Sequence, residues 1–285
     1  MGIQINTNVQ SLNAQRLLGQ NTTNLGKSLE KLSSGFRINK SSDDAAGLQI
    51  SETLRSQIRG SQKANDNVQD GINVLNTADG SLSTITDNLQ RMRELAVQGA
   101  NDTLGVDQRS AVNKELLQLT DDIDRIAKGT EFNGKKLFSS VSNYKIQVGA
   151  ESASATNMLN LGSSVGGGLG LVSKTSLGIG SGTGVAFGVT TNASSLKAIS
   201  KIDIALQRVG NRRASIGALS NRLSSASQNL SIAIENFSAS ESRIRNTDVA
   251  KESAEMTKNQ ILQQAAATVL GQANQAPNLA IQLLR

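Results

Sequence analysis

At 285 residues the chain can form one or two domains, yet it has no Trp, His or Cys, one Tyr and five Phe, so the large rings that anchor most compact cores are nearly absent. Lack of His and Cys removes the commonest general base, the commonest metal ligand and every disulfide, which argues against an enzyme and against any metal or cofactor. The formal charge of +6 divides into about +3 over residues 1–43, −2 over 44–150, zero over 151–195, +4 over 196–243 and +1 over 244–285, so the acidic and basic stretches complement each other rather than a nucleic acid.

With one proline in the chain, little forbids long helices. In the first segment Ile5, Val9, Leu12, Leu18, Leu25, Leu29, Leu32 and Phe36 recur mostly at three, four or seven residues, the narrow stripe of a coiled-coil seam. Gly35 is placed to end this helix, and Ser42 or Asp43 to cap the next. From Asp44 to about Gly99 the pattern continues, predicting a helix of roughly 80 Å at 1.5 Å per residue and hence an elongated molecule. Asn101 to Asp107 breaks it, with Asp107 as a cap, and Val112, Leu116, Leu119, Ile123 and Ile126 predict another amphipathic helix. Phe132-Asn133-Gly134 then supplies a turn, and Tyr144, Ile146 and Val148 alternate as in a short strand.

Residues 151–195 differ in character, since ten of the 26 glycines fall between Gly162 and Gly188. They read as a short, poorly core-forming insert. Helical spacing resumes at Leu196 and runs to Phe237, and Thr247-Asp248 followed by Glu252 marks a last helix start. From Gln260 to Leu284 no side chain is charged, but the repeated Gln and Asn amides are too costly in hydrocarbon for membrane insertion. No basic start followed by an apolar run opens the chain, so no cleaved secretory signal is expected. The pattern predicts a mainly α fold: an elongated antiparallel helical coiled-coil bundle of paired N- and C-terminal halves, with a small β-hairpin region and a short loop-rich insert.

Motifs for chemistry are weak. Gly166-Gly167-Gly168-Leu169-Gly170 lacks the Lys-Ser/Thr of a phosphate loop, and Asp43-Asp44 or Asp121-Asp122-Ile123-Asp124 are more simply caps and solvated faces than catalytic pairs.

Several longer segments carry a resemblance. INTNVQSLNAQRLLGQN, KLSSGFRINKSSDDAAGLQIS, LQRMRELAVQGAND and RIRNTDVAKESAEMTKNQILQQAAATVLGQANQ, with the final LLR, resemble bacterial flagellin in order, over about residues 1–150 and 196–285. The resemblance implies a non-enzymatic subunit that polymerises into the flagellar filament for swimming motility. It implies an inner terminal domain of residues 1–43 plus 244–285, disordered in the free monomer and folding on assembly. Around it would lie a helical rod domain of 44–150 plus 196–243 with a β-hairpin, and 151–195 would be a short variable surface insert. It also implies type III export to an extracellular filament, with an export chaperone and the flagellar cap and junction proteins as partners. Where host Toll-like receptor 5 recognises the family, the matching positions are Arg91, Leu95 and Glu115. The insert has no His for the zinc protease that some family members carry.

The subunit-assembly interface is expected where the two terminal stripes meet, through Ile5, Val9, Leu12, Leu18, Leu25, Leu29 and Leu32 on one side. Ile261, Leu262, Ala265, Val269, Leu270 and Ala273 face them on the other. Two rivals remain at this point, a hook–filament junction protein sharing the terminal helices and a cytoplasmic helical scaffold or signalling protein.

Overall fold

The structure, a computed structural model, describes residues 7–138, 144–152, 157–162, 169, 171–179 and 187–283, with side chains to residue 275. The described residues form six helices: α1 (Val9–Ser34), α2 (Ala45–Gly99), α3 (Val106–Gly129), α4 (Lys174–Leu177), α5 (Asn192–Arg245) and α6 (Val249–Leu283). Four short strands complete them: β1 (Glu131–Phe132), β2 (Lys135–Lys136), β3 (Lys145–Gln147) and β4 (Met158–Asn160). The fold is mainly α, with antiparallel helix packing and two small antiparallel hairpins, β1–β2 and β3–β4.

Local chemistry sets the helix ends. Asn8 Oδ1 accepts from the Ser11 N–H at 3.1 Å to start α1, and Gly35, at φ 73°, ends it by donating its N–H to the Lys31 carbonyl at 2.9 Å. At α2 the capping expectation needs correction. Asp44 caps, accepting from the Gly47 N–H at 2.8 Å, while the Asp43 carboxylate takes the N–H groups of Asn39 and Lys40 and closes the loop before it. Those two backbone bonds, Lys40 first, hold the Asp43 pKa below its ordinary value. Helix α3 starts at Val106 without a side-chain cap, so Asp107 lies in its first turn and meets the positive end of the helix dipole instead. Asp248 does cap α6, accepting from Ala250 and Lys251 at 3.0 and 3.2 Å. In the β1–β2 turn Asn133 (φ 49°) and Gly134 (φ 73°) take the left-handed conformations that a two-residue hairpin of this hand requires.

The chain divides into two compact units, Met1–Gln57 with Asn236–Arg285, and Ile58–Glu235, the boundaries falling inside α2 and α5. In the first unit α1 and α6 run antiparallel. Asn8 donates to the Ala273 carbonyl at 2.6 Å, Gln263 to Thr22 Oγ1 at 3.2 Å, and Lys31 lies 3.9 Å from Glu252, while Phe36 and Asn246 form a β-bridge. These partners keep a nearly constant sum of residue numbers, which is the mark of an antiparallel register. Beyond the helix ends, Arg37 donates to the Ile244 carbonyl at 2.8 Å and the Arg245 guanidinium sits 4.7 Å from the Phe36 ring centre while donating to Glu52 at 2.7 Å.

The second unit holds the continuous core. Val68, Leu75, Ala78, Leu82, Ile85, Leu89 and Met92 of α2 are spaced for one coiled-coil stripe, as are Ala198, Ile202, Ala205, Val209, Ile216, Leu219 and Leu223 of α5, and all are buried. Salt bridges tie the two helices antiparallel, Arg213 to Asp79 at 2.8 Å and Arg93 to Asp203 at 2.8 Å. Leu116 and Ile123 of α3 close the third side.

The expectation of a poorly core-forming insert is corrected here: Leu161, Leu169, Val172, Leu177, Ile179, Phe187 and Val189 are all buried in this core. Charged groups on the helices hold the segment down. Arg208 and Arg212 donate to the carbonyls of Ser176 and Leu171 at 2.6 and 2.9 Å, Lys174 pairs with Asp121 at 3.0 Å, and Asn113 Oδ1 accepts from the Val189 N–H at 2.9 Å. Glycine-rich composition concealed this, because only a few widely spaced apolar residues do the packing.

Candidate functional site: apolar flanks of the terminal helix pair

Of the sheltered positions of α1, Ser11, Ala14, Leu18, Asn21, Leu25, Ser28 and Leu32 alternate by three and four, with Glu30 and Lys31 half-buried beside them. On α6, Glu252, Met256, Asn259, Gln263, Ala266, Leu270 and Ala273 show the same alternation, with Ser253 half-buried beside them. This is a coiled-coil seam of unusual make-up. Ser28 and Asn259 are buried in it, Asn21 and Gln263 are half-buried, and only a minority of its positions carry large apolar side chains.

The greasy residues lie beside the seam. Of the expected assembly residues, Leu18, Leu25, Leu32 and Leu270 are half-buried within it and Ala273 is buried, so the structure brings these together. Val9 (54 % exposed), Leu12 (57 %), Leu29 (49 %), Ile261 (60 %), Leu262 (42 %) and Val269 (53 %) remain open, as does Ala265. Leu17 and Val249 are also open and were not singled out by the sequence. Ile5 lies outside the described residues.

Helical geometry explains the separation. Leu12 and Leu29 each follow a seam position by one residue, and Leu17, Leu262, Ala265 and Val269 each precede one, a turn of about 100° away from the seam. Because the helices are antiparallel, a residue after the seam on α1 and a residue before it on α6 fall on opposite flanks. Leu12 and Leu29 therefore mark one flank, and Leu17, Leu262, Ala265 and Val269 the other. A repeating pattern of apolar residues shows that a stripe exists; it does not show which neighbouring row meets the partner helix.

The second expected site, on α2 and α3, is partly assembled. Arg91 donates to Glu115 Oε1 through two nitrogens at 3.1 and 3.0 Å and to Glu94 at 3.1 Å, and these carboxylates, Glu115 first, raise its pKa. Leu95 is only 2 % exposed and belongs to the core. The surface at this place is thus an ion pair without the expected leucine.

Among the described residues no group of three or more Asp, Glu, His or Cys side chains is placed to hold a metal ion, and no helix is long and apolar enough to cross a membrane.

A chain with paired terminal helices whose apolar side chains face outward is compatible with many assemblies, and comparison with known proteins narrows the choice. Residues 5–143 match the bacterial flagellin N-terminal helical region, and residues 199–284 match the bacterial flagellin C-terminal helical region. The chain belongs to the bacterial flagellin family. It is similar to a flagellin of Halalkalibacterium halodurans, 43 % identical over 99 % of both chains. It is also similar to the flagellin of Bacillus subtilis, 39 % identical over 99 % of this chain and 100 % of that one, and to flagellin FlaB2 of Treponema pallidum, 38 % identical over 99 % of both. A crystal structure of Bacillus cereus flagellin matches 58 % of this chain and 88 % of its own at 30 % identity, with a TM-score of 0.48. The chain is accordingly a structural subunit of the bacterial flagellar filament, and these flagellins, matched over nearly their whole lengths, give no support to a junction protein or a cytoplasmic scaffold.

Proposed function

We propose that this flagellin polymerises through the two apolar flanks of its α1–α6 pair, one flank of each copy packing on its neighbours. The observation that supports the reading is the set of open Val, Leu and Ile side chains on both sides of a polar seam. Burying each such side chain fully is worth about 1.5–3 kcal/mol, and a subunit that must touch neighbours on more than one side needs apolar surface on more than one side.

The domain reading is of residues 1–43 with 244–285 as the filament's inner domain, 44–150 with 196–243 as a helical rod domain with a β-hairpin, and 151–195 as a short variable insert packed on that rod by its few apolar residues. Export through the flagellar type III route brings the subunit to an extracellular filament. Its further partners are an export chaperone, which takes the C-terminal segment before secretion, and the flagellar cap and junction proteins. The role is structural rather than catalytic. A host receptor of the Toll-like receptor 5 type reads the Arg91–Glu115 pair on α2 and α3, with Leu95 supporting that surface from beneath.

The assembly reading is tested by placing a charge on a flank. The pair Leu262→Asp and Val269→Asp should leave the monomer's helical content unchanged and abolish filaments in electron micrographs. Filaments of normal length from that variant would overturn it.

A further inference from the structure

The two flanks of the α1–α6 pair are not alike. Every position that directly follows a seam residue, on either helix, is uncharged, from Leu12, Gln15 and Gly19 on α1 to Gln264, Ala267 and Gly271 on α6. The positions that directly precede a seam residue carry Lys27, Lys31, Lys251, Glu255 and Lys258 at one end of the pair and, among uncharged amides along the rest, Leu17, Leu262, Ala265 and Val269. All three glycines inside these helices, Gly19, Gly26 and Gly271, fall on the first flank. A glycine in a helix interior costs about 1 kcal/mol relative to alanine, and each of these three is exposed. A methyl group added to any of them would meet no atom within 4 Å. Packing inside the subunit therefore gives no reason for the missing side chains. What a bare helix surface does permit is close approach from outside.

The second flank carries side chains that fit. Leu262 and Val269, both open to water, are seven residues apart on α6, a separation of about 10 Å along the helix. Gly26 and Gly19 are also seven residues apart on α1, so two bulky groups and two bare places share one spacing. A neighbour in the same orientation presents its α6 antiparallel to this α1, as within the pair, and the register that sets Leu262 on Gly26 then sets Val269 on Gly19. Within one subunit Gln263 lies level with Thr22, to which it donates at 3.2 Å, so that register needs the neighbour displaced along the axis by only about one helical turn.

We propose that the uncharged flank of α1 is the docking surface for α6 of a second copy of this chain, whose Leu262 and Val269 seat over Gly26 and Gly19. The inference rests on the assembly reading above and gives it a direction. Unlike flanks meet, which is the head-to-tail kind of contact that extends into an open helical filament instead of closing as a dimer. Charge selects the same stretch of the partner: Lys27 or Lys251 pressed against the uncharged flank would be a buried cation without a counter-charge, whereas the length around Leu262 and Val269 carries none.

The test uses the full-length chain, which has no cysteine of its own. Gly26→Cys with Leu262→Cys places two thiols on opposite flanks of one subunit, so a bridge between them has to join two copies. After assembly and mild oxidation, non-reducing gels should show a ladder of covalent oligomers, since a disulfide forms only where the two Cα atoms come within about 7 Å. Each single variant should run as a monomer. Dimers from Gly26→Cys alone would mean that like flanks meet, and filaments of the double variant without a ladder would mean that α6 lies elsewhere; either result overturns the inference and leaves the assembly reading standing. Gly19→Leu with Gly26→Leu fills both bare places while favouring the helix, and it gives a second reading should the cysteine variant not assemble. It should raise the critical concentration for assembly about tenfold or more, as the loss of two buried side chains implies, and an unchanged value overturns the proposal. Normal filaments from Leu262→Asp with Val269→Asp would instead overturn the assembly reading and this inference with it.

Discussion

The two units use the same coiled-coil spacing to opposite ends. In the second unit the positions that alternate by three and four are Val, Leu, Ile, Ala and Met, and they are closed from water almost completely. In the terminal pair the same alternation places Ser28, Asn259 and Gln263 inside and leaves Leu12, Leu262 and Val269 outside. One unit has satisfied its apolar surface within the chain, and the other has kept it for contacts between chains. Folding and polymerisation are in this way assigned to different residues, and substitutions should separate them.

The largest separation should come from the core of the second unit. Leu89→Ala removes a fully buried side chain and should lower the stability of that unit by about 2–5 kcal/mol, read from thermal unfolding of the monomer. Val269→Ala should leave monomer unfolding within about 0.5 kcal/mol of the parent. Its effect belongs to the polymer: losing two methyl groups from a buried contact should raise the critical concentration for assembly about tenfold, measured by sedimentation. If Val269→Ala destabilised the monomer as much as Leu89→Ala, the division of labour between the units would fail.

Changing the seam tests the same contrast from the other side. Asn259→Leu should stabilise the α1–α6 pair by about 1 kcal/mol while loosening its register, because a buried amide in such a seam trades stability for a unique alignment. Hydrogen exchange of the α6 amides would show the slower opening, and cross-linking between positions 22 and 263 would show whether alignment has slipped.

A smaller effect concerns the clip between α3 and the insert. Burial acts to raise the Asp124 pKa, but the Lys128 ammonium at 2.5 Å and the Lys174 backbone N–H outweigh it and hold the group below its ordinary 3.8. A depressed carboxylate contributes stability above its unfolded pKa and loses it as pH falls through the folded one. Asp124→Asn should therefore cost about 1 kcal/mol or less at neutral pH, a difference that shrinks as pH falls below the ordinary carboxylate range, in paired thermal melts.

Much of this architecture was legible in the sequence, and the exceptions share a cause. Helix positions, the Gly35 stop, the Asp248 start and the Asn133-Gly134 turn follow from local spacing and backbone chemistry, which a single chain displays directly. The choice of Asp44 over Asp43 as cap depends on which carboxylate the preceding loop uses, and the sequence offers both. Burial of Leu177, Ile179 and Phe187 goes with arginines that hold the insert from 32 and 41 residues further along the chain, contacts that local composition cannot show. Leu95 continues the apolar stripe of α2 and is closed in the core, so the receptor contact that the resemblance implies for it is not presented at the surface. The displacement of the apolar flanks from the seam was the least legible feature, because rows one residue apart on a helix have nearly the same periodicity.

The central claim is that the flank residues are open in the subunit and closed in the filament. Since the chain has no cysteine, Val269→Cys introduces a single thiol at the flank, and its rate of maleimide labelling can be compared between monomer and intact filament. The account predicts rapid labelling in the monomer and strong protection in the filament; equal labelling in both states would contradict it.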